Sequence, residues 1–143
     1  MSNSIFGPSG GVGGQPFDDA PPQDNVSVKE VRVWSSGPID SVQTVLTIEG
    51  ETIENAKHGG SAGTFGLVRL DDDEYITEIY GRYGSYVESL NVRTNRGQIR
   101  RFGGQGGVNE FLFVAPQGYQ IVGFWGRSSQ LIDSIGVHVC EAD

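Results

Sequence analysis

The chain predicts an all-β fold built from three alike units. Three observations carry that prediction: short apolar runs of strand type, glycine pairs between them, and a motif that returns at a near-constant pitch. The runs cover residues 26–34, 42–48, 65–70, 75–80, 87–92, 111–114, 121–125 and 135–139 and are rich in β-branched and aromatic residues. Ile135, Val137 and Val139 alternate, as do Val31 and Val33, which is the period of a strand with one buried face. No stretch of a dozen residues keeps a helical period. Glycine supplies 22 of the 143 residues without a three-residue period, so a collagen helix is excluded and many tight turns are expected.

The repeat is the stronger signal. Ser35-Ser36-Gly37-Pro38-Ile39-Asp40-Ser41-Val42, Tyr83-Gly84-Ser85-Tyr86-Val87-Glu88-Ser89-Leu90 and Ser128-Ser129-Gln130-Leu131-Ile132-Asp133-Ser134-Ile135 align. Each has a small-residue turn, an aliphatic residue, an acid, a serine and a second aliphatic residue. The acids stand 48 and 45 positions apart, and the glycines Gly14, Gly60 and Gly106 stand 46 and 46 apart. A unit of that length holds four strands of about 5–6 residues with their turns. Three such units around a threefold axis would share one core.

A single domain over residues 1–143 is expected, with residues 1–9 as a flexible N-terminal segment. Its hydrophobic content of 36% suffices for one core. The net charge of −8, from 10 Lys and Arg against 18 Asp and Glu, offers no cation cluster for a phosphate backbone, so neither nucleic acid nor an anionic membrane is expected as a partner. Arg100-Arg101 and Arg93-Thr94-Asn95-Arg96 are short basic spots of the kind found at solvated strand ends. Cys140 has no second cysteine to pair with and is expected as a buried thiol near the last strand. No signal peptide and no membrane-length apolar run is seen, so a cytoplasmic protein is expected, in which the sequon Asn25-Val26-Ser27 would stay idle.

These residues, in order, resemble a jacalin-related lectin of the mannose/glucose-binding type. The resemblance rests on Gly13-Gly14-Gln15-Pro16-Phe17-Asp18-Asp19, Ile39-Asp40-Ser41-Val42, His58-Gly59-Gly60, Leu70-Asp71-Asp72-Asp73-Glu74-Tyr75-Ile76 and Thr94-Asn95-Arg96-Gly97. It closes with Val122-Gly123-Phe124-Trp125-Gly126-Arg127-Ser128-Ser129 and Leu131-Ile132-Asp133-Ser134-Ile135-Gly136-Val137-His138. It implies a β-prism I fold of three four-stranded Greek-key sheets with pseudo-threefold symmetry, the terminal strands paired in one sheet. It also implies a sugar site between Gly14 and the Gly-x-x-x-Asp loop, here Ser129-Gln130-Leu131-Ile132-Asp133. Ser129 stands where the family usually has Gly, and Ser tolerates positive φ poorly. That departure motivates a second reading, a structural or interaction domain that keeps the fold without the sugar.

The residue types suit a hexose. Its adjacent hydroxyls need fixed partners in place of water, and an ionised Asp133 accepts from two of them in charge-assisted bonds. The amides of Gln130 and Leu131 would donate, Gly14 would let main chain approach the sugar, and Leu131 or Tyr86 would cover an apolar ring face. The repeat implies a second sugar site at Ser36, Gly37 and Asp40 with Gly59 and Gly60, as some mannose-binding members of the family have, although Pro38 removes one N–H donor. A third would pair Glu88 with Gly106 and Gly107. Several weak sites on one prism would add avidity for branched glycans. In this family galactose preference goes with a chain cleaved at the glycine. Gly14 here follows a continuous Met1–Gly13 segment, so the resemblance favours mannose- or glucose-containing glycans. It also implies a homo-oligomer, a dimer or higher.

Other constellations carry less. Asp71-Asp72-Asp73-Glu74 lacks the spaced ligands and turn glycine of a calcium loop. His58, His138 and Cys140 lack metal-ligand spacing, so no metal and no cofactor are expected. Gly10-Gly11-Val12-Gly13-Gly14 is not followed by Lys-Ser/Thr or a helix, which rejects a phosphate loop. No nucleophile motif frames Ser, His and Asp, and no enzyme is expected. The Gln-x-Trp repeat of β-trefoils and the Gln-x-Asp-x-Asn-x-Val-x-Tyr repeat of monocot mannose lectins are both missing.

Overall fold

The computed structural model describes residues 3–142, and all of its regular structure is β. In chain order the strands are β1 (Ser4–Gly10), β2 (Gln15–Asp18), β3 (Val26–Ser35), β4 (Ile39–Ile48), β5 (Glu51–Glu54), β6 (His58–Gly59) and β7 (Thr64–Arg69). There follow β8 (Ile76–Tyr83), β9 (Val87–Thr94), β10 (Ile99–Gly103), β11 (Asn109–Val114), β12 (Tyr119–Ser128) and β13 (Ile132–Glu141).

Pairing is antiparallel throughout and divides the strands into three leaves. The second leaf runs β5-β4-β3-β7, with β6 also on β4; the third runs β10-β9-β8-β11. Each follows the Greek-key order, in which the fourth strand returns to lie beside the first. The first leaf, β1-β13-β12-β2, has the same order but closes with the two N-terminal strands. A single bridge, Ile121 to Ile76, joins the first leaf to the third. This is the threefold arrangement that the repeat implied, in the β-prism form that the resemblance implied.

The symmetry extends to irregularities. The long hairpin of each leaf slips register twice: between Val28 and Glu30 and between Trp34 and Ser35, between Ile76 and Glu78 and between Arg82 and Tyr83, and between Ile121 and Gly123 and between Arg127 and Ser128. Bulges bend and twist a strand, and three copies at matching places curve each leaf around the common core. Residues related by the repeat fill that core in sets: Val31, Ile79 and Phe124; Ile39, Val87 and Ile132; Val42, Leu90 and Ile135, all 0–1% exposed.

Two expectations are corrected here. Residues 4–10 are not a flexible lead-in but strand β1, paired with β13 from Ser4↔Val139 to Gly10↔Ser134; Met1 and Ser2 lie outside the described residues. Their Gly, Pro and Ser content hides a strand whose order comes from main-chain pairing. The glycine landmark Gly14–Gly60–Gly106 is out of register. The residues at one position are Gly11, Gly60 and Gly104, whose amides donate to the carbonyls of Asp133 (2.8 Å), Asp40 (3.0 Å) and Glu88 (3.1 Å). The counterparts of Gly14 are Gly63 and Gly107, all three at positive φ.

The acidic run is a turn, as expected, and Asp71 pairs with Arg96 at 3.0 Å. Glu74 turns inward and is 7% exposed. It accepts from Thr94 Oγ1 (2.6 Å), Gln98 Nε2 (2.9 Å) and the Asp71 amide (3.1 Å). Burial alone would raise its pKa, but these hydrogen bonds outweigh it and hold the carboxyl below its ordinary 4.5. A depressed carboxylate contributes stability that is complete above the unfolded value and is lost as pH falls through the folded one. Thermal melts of Glu74→Gln should therefore show a loss of about 1–3 kcal/mol at neutral pH. The wild type should decline more steeply than the variant below pH 4.5, the ordinary Glu value. Parallel pH profiles would show that Glu74 is not the titrating group.

Candidate functional site

Three loop pairs lie at one end of the prism, each formed by a hairpin turn and the glycine loop that enters the leaf's outer strand. The turns share one bond: Ser129 N–H to Leu131 O (2.8 Å), Ser36 N–H to Pro38 O (3.1 Å) and Gly84 N–H to Tyr86 O (3.0 Å). The acid follows two residues later in every case.

In the first pair, Asp133 is 3% exposed and forms the floor. Its Oδ1 accepts from the Ser129 hydroxyl at 2.8 Å. Gly14 sits against it at φ +78°, where a Cβ would lie 2.6 Å from Asp133 Oδ1 and 2.5 Å from Ser128 O. A Cβ on Gly13 would meet Asp133 Oδ2 at 2.9 Å. No side chain could therefore stand at Gly14, and the carboxylate is reached past bare backbone. Gly13, Ser129 and Gln130 form the exposed rim, with Leu131 half-buried. Ser129 is outside the left-handed region, as is its counterpart Gly84, so no strain attends Ser at this position.

Arg127 holds the glycine loop and was not anticipated. Its Nε donates to Gly13 O (3.0 Å) and its Nη2 to Gly14 O (2.7 Å). Arg82 does the same in the third unit, Nε to Gly107 O at 3.0 Å. The signal was available: 82 and 127 differ by 45, the same step as Glu88 to Asp133. The strand after Gly14 is fastened by two histidines. His138 Nε2 lies 2.6 Å from Asp18 Oδ1, and His58 Nε2 lies 2.9 and 3.0 Å from the two oxygens of Asp19. Burial pushes the Asp19 carboxyl up from its ordinary value, against the pull of His58. His58 also stacks on Phe17 with ring centroids 4.3 Å apart.

In the second pair Asp40 is 2% exposed, and its Oδ1 has no hydrogen-bond partner among the described residues. The glycine facing that oxygen is Gly63 (φ +103°), whose Cβ would lie 2.8 Å from it. Gly59 and Gly60 are near Asp40 through main chain only, and a Cβ on Gly60 would collide with the carbonyl of Gln130. They pack the second unit onto the turn of the first, so the predicted pairing of Gly59 and Gly60 with the Asp40 carboxylate is corrected to Gly63. The first loop has two glycine pairs and the second only one, Gly59-Gly60 before the single Gly63, which allowed the alignment to slip by three residues. Ser36 and Gly37 are in the turn as expected.

Of the two glycines predicted for the third pair, Gly106 lies at Glu88, where its Cβ would be 2.9 Å from Glu88 Oε1, whereas Gly107 lies against the backbone of Tyr83. Its loop has one more residue, the exposed Val108. Tyr86 belongs to this turn, at the position Leu131 holds in the first, and the adjoining Ser85 lies against Gly11 of the first unit's glycine loop. Among the described residues no three of His, Cys, Asp and Glu converge as metal ligands.

This geometry defines a β-prism with glycine-walled acidic loops at one end. A family model for the jacalin-like lectin domain matches residues 6–138. Jacalin-related lectin 3 of Arabidopsis thaliana is 33% identical over 142 residues, covering 93% of this chain and 23% of that protein. Horcolin of Hordeum vulgare is 31% identical over 147 residues, covering 97% of this chain and 99% of that one. This chain thus spans under a quarter of the first relative and nearly all of the second. The crystal structure of an artocarpin–mannotriose complex superposes with a TM-score of 0.87 at 25% identity, covering 98% and 99% of the two chains. The chain belongs to the jacalin-like lectin domain family. That family is one of sugar-binding proteins, not enzymes.

Because Gly14 has both a left-handed backbone and no room, Gly14→Ala should lower stability by about 1–3 kcal/mol in denaturant titration. Gly84→Ala, in open space without a left-handed φ, should stay within about 0.5 kcal/mol of wild type. Equal effects would mean that the loop relaxes around the methyl group.

Proposed function

We propose that the chain binds mannose- or glucose-type glycans at the Asp133–Gly14 loop pair, without a metal. The observation that carries this reading is a buried carboxylate walled on one side by glycine backbone alone. Only one of its oxygens is engaged by a neighbouring hydroxyl, that of Ser129. A carboxylate has about four lone-pair sites, so capacity remains for two hydroxyls of a pyranose. The amides of Gln130 and Leu131 supply donors for the same oxygens, and Leu131 an apolar contact. Arg127 keeps the glycine carbonyls turned away from the sugar by bonding them itself.

The relaxed backbone at Ser129 removes the strain that motivated a sugar-free reading. The artocarpin structure, with mannotriose bound, supports the sugar class. Asp40 with Gly63, Ser36 and Gly37 forms a second site. Its unpaired Oδ1 is costly to bury, and a ligand hydroxyl would relieve that cost. Glu88 with Gly106 and Gly107 forms a third, in which the longer side chain and the extra loop residue shift the carboxylate. Homo-oligomerisation would multiply these weak sites into avidity for branched glycans.

Calorimetric titration with methyl α-mannoside tests the reading. Asp133→Asn should remove one site per chain and weaken binding there at least about tenfold, the loss of one charge-assisted bond of about 1.5–3 kcal/mol. EDTA should change nothing. Full binding by Asp133→Asn would sink the assignment of the site, and EDTA-sensitive binding would sink its independence of metal.

A further inference from the structure

We propose that the outer face of the second leaf carries an aromatic subsite, Trp34 and Phe65, which takes the next hexose ring of a glycan held at Asp40. The inference rests on the reading of Asp40 and Gly63 as a sugar site and names the ligand that site prefers: an oligosaccharide rather than a single sugar.

Trp34 and Phe65 are opposite each other in register, one residue pair from Ser35 and Thr64. Their ring centroids are 5.1 Å apart with the planes tilted 50°. Phe65 is 52% exposed although it sits in a paired strand. The same cross-strand position is filled differently in the other two units. Arg127 faces Pro16 there, and Arg82 faces Glu110, with which it pairs at 2.9 Å. Both arginines stitch their glycine loop to the sheet. In the second unit an indole replaces the guanidinium, and a phenyl ring replaces the proline or glutamate. The scaffold is held constant by the repeat, so this change falls on the surface beside the loop.

What such a surface recognises follows from its chemistry. A pyranose ring has C–H patches on its faces and hydroxyls around its rim, so an aromatic face covers the former and leaves the latter free. Lys57 Nζ lies 4.0 Å over the Trp34 ring, a cation–π contact that covers one face of the indole and fixes it beside Phe65, the ring left exposed for a sugar face. The independent pointer to a sugar is Asp40, whose buried Oδ1 has no partner among the described residues. One strand step of about 3.4 Å separates the aromatic pair from Ser35 and Thr64. A Cβ on Gly63 would lie 2.8 Å from Asp40 Oδ1 and 2.9 Å from Ser35 N, so the carboxylate stands beside Ser35, one step along the strand from Trp34.

The experiment uses the Asp133→Asn protein with Glu88→Gln added, so that the second site is observed alone, with methyl α-mannoside and an α-linked mannobiose as probes in calorimetry. The disaccharide should bind about three- to tenfold more tightly than the monosaccharide, the range of an aromatic contact of roughly 0.5–1.5 kcal/mol. Phe65→Ala should abolish that advantage. Trp34→Arg, which installs the residue both other units carry and so keeps the fold, should do the same. An absent disaccharide preference, or one that survives both substitutions, overturns the subsite while leaving the Asp40 site standing. Failure of both sugars to bind this doubly substituted protein removes the Asp40 site itself, and the subsite with it.

Discussion

Three main-chain contacts, each made by a glycine against the turn of a neighbouring unit, hold the functional end of the molecule together. Gly11 of the first unit lies against Ser85 in the turn of the third, Gly104 of the third against Gly37 in the turn of the second, and Gly60 of the second against Gln130 in the turn of the first. The contacts form a closed ring, and the same three residues donate their amides to the carbonyls of the acids at 40, 88 and 133. Each acid is thus fixed from its backbone by its own unit's loop, while the neighbouring unit's loop braces the turn that precedes it. A methyl group at Gly11 or Gly60 would collide with the neighbouring unit's carbonyl at 2.2 or 2.3 Å, whereas at Gly104 it would be tight at 3.3 Å.

With the backbone held in this way, the three loop pairs are free to differ in side chain. The first combines Asp133, the Ser129 hydroxyl and the Arg127 clamp; the third has Glu88, Gly84 and Arg82; the second has Asp40, Ser36 and Trp34. Chemistry that a fold does not dictate is carried by such grafted differences. An acid with a neighbouring hydroxyl bond, an acid with a bare buried oxygen, and a longer acid facing a longer loop are three separate polarities on one scaffold. Comparison within the chain isolates each difference because the surrounding strands, bulges and turn bonds repeat.

How much of this was legible in the sequence followed from what each signal encodes. The long central strands of each leaf announce themselves by burial, as at Val31, Val33, Ile135 and Val137. The edge strands β2, β5, β6 and β10 are two to five residues long and mostly exposed, so they carry no apolar period. Only pairing with a neighbour defines them. β1 escaped for the same reason. The acids were found because the residues flanking them are buried in every unit and so repeat in kind. The glycine partner of Asp40 was misassigned because a residue without a side chain has no pattern to align, and Gly59-Gly60 is as good a match to Gly13-Gly14 as to Gly10-Gly11. Arg127 was missed because its role is to bond carbonyls, which every residue has.

The position of the chain termini sets the first loop pair apart from the others. Gly63 follows Asp40 by 23 residues and Gly107 follows Glu88 by 19, so the second and third pairs are local products of one Greek key. Gly14 and Asp133 are 119 residues apart. Their meeting requires β1 and β2 to close the leaf that β12 and β13 begin, and closing a long loop costs entropy before any contact repays it. The His138–Asp18 pair and the Arg127 bonds to Gly13 and Gly14 lie across that closure, and the His58–Asp19 pair ties the end of β2 to the second leaf. The polar fastening is therefore concentrated where the chain has the least local reason to hold together. The carboxylate at 133 meets its glycine wall only in a molecule whose three units have already closed.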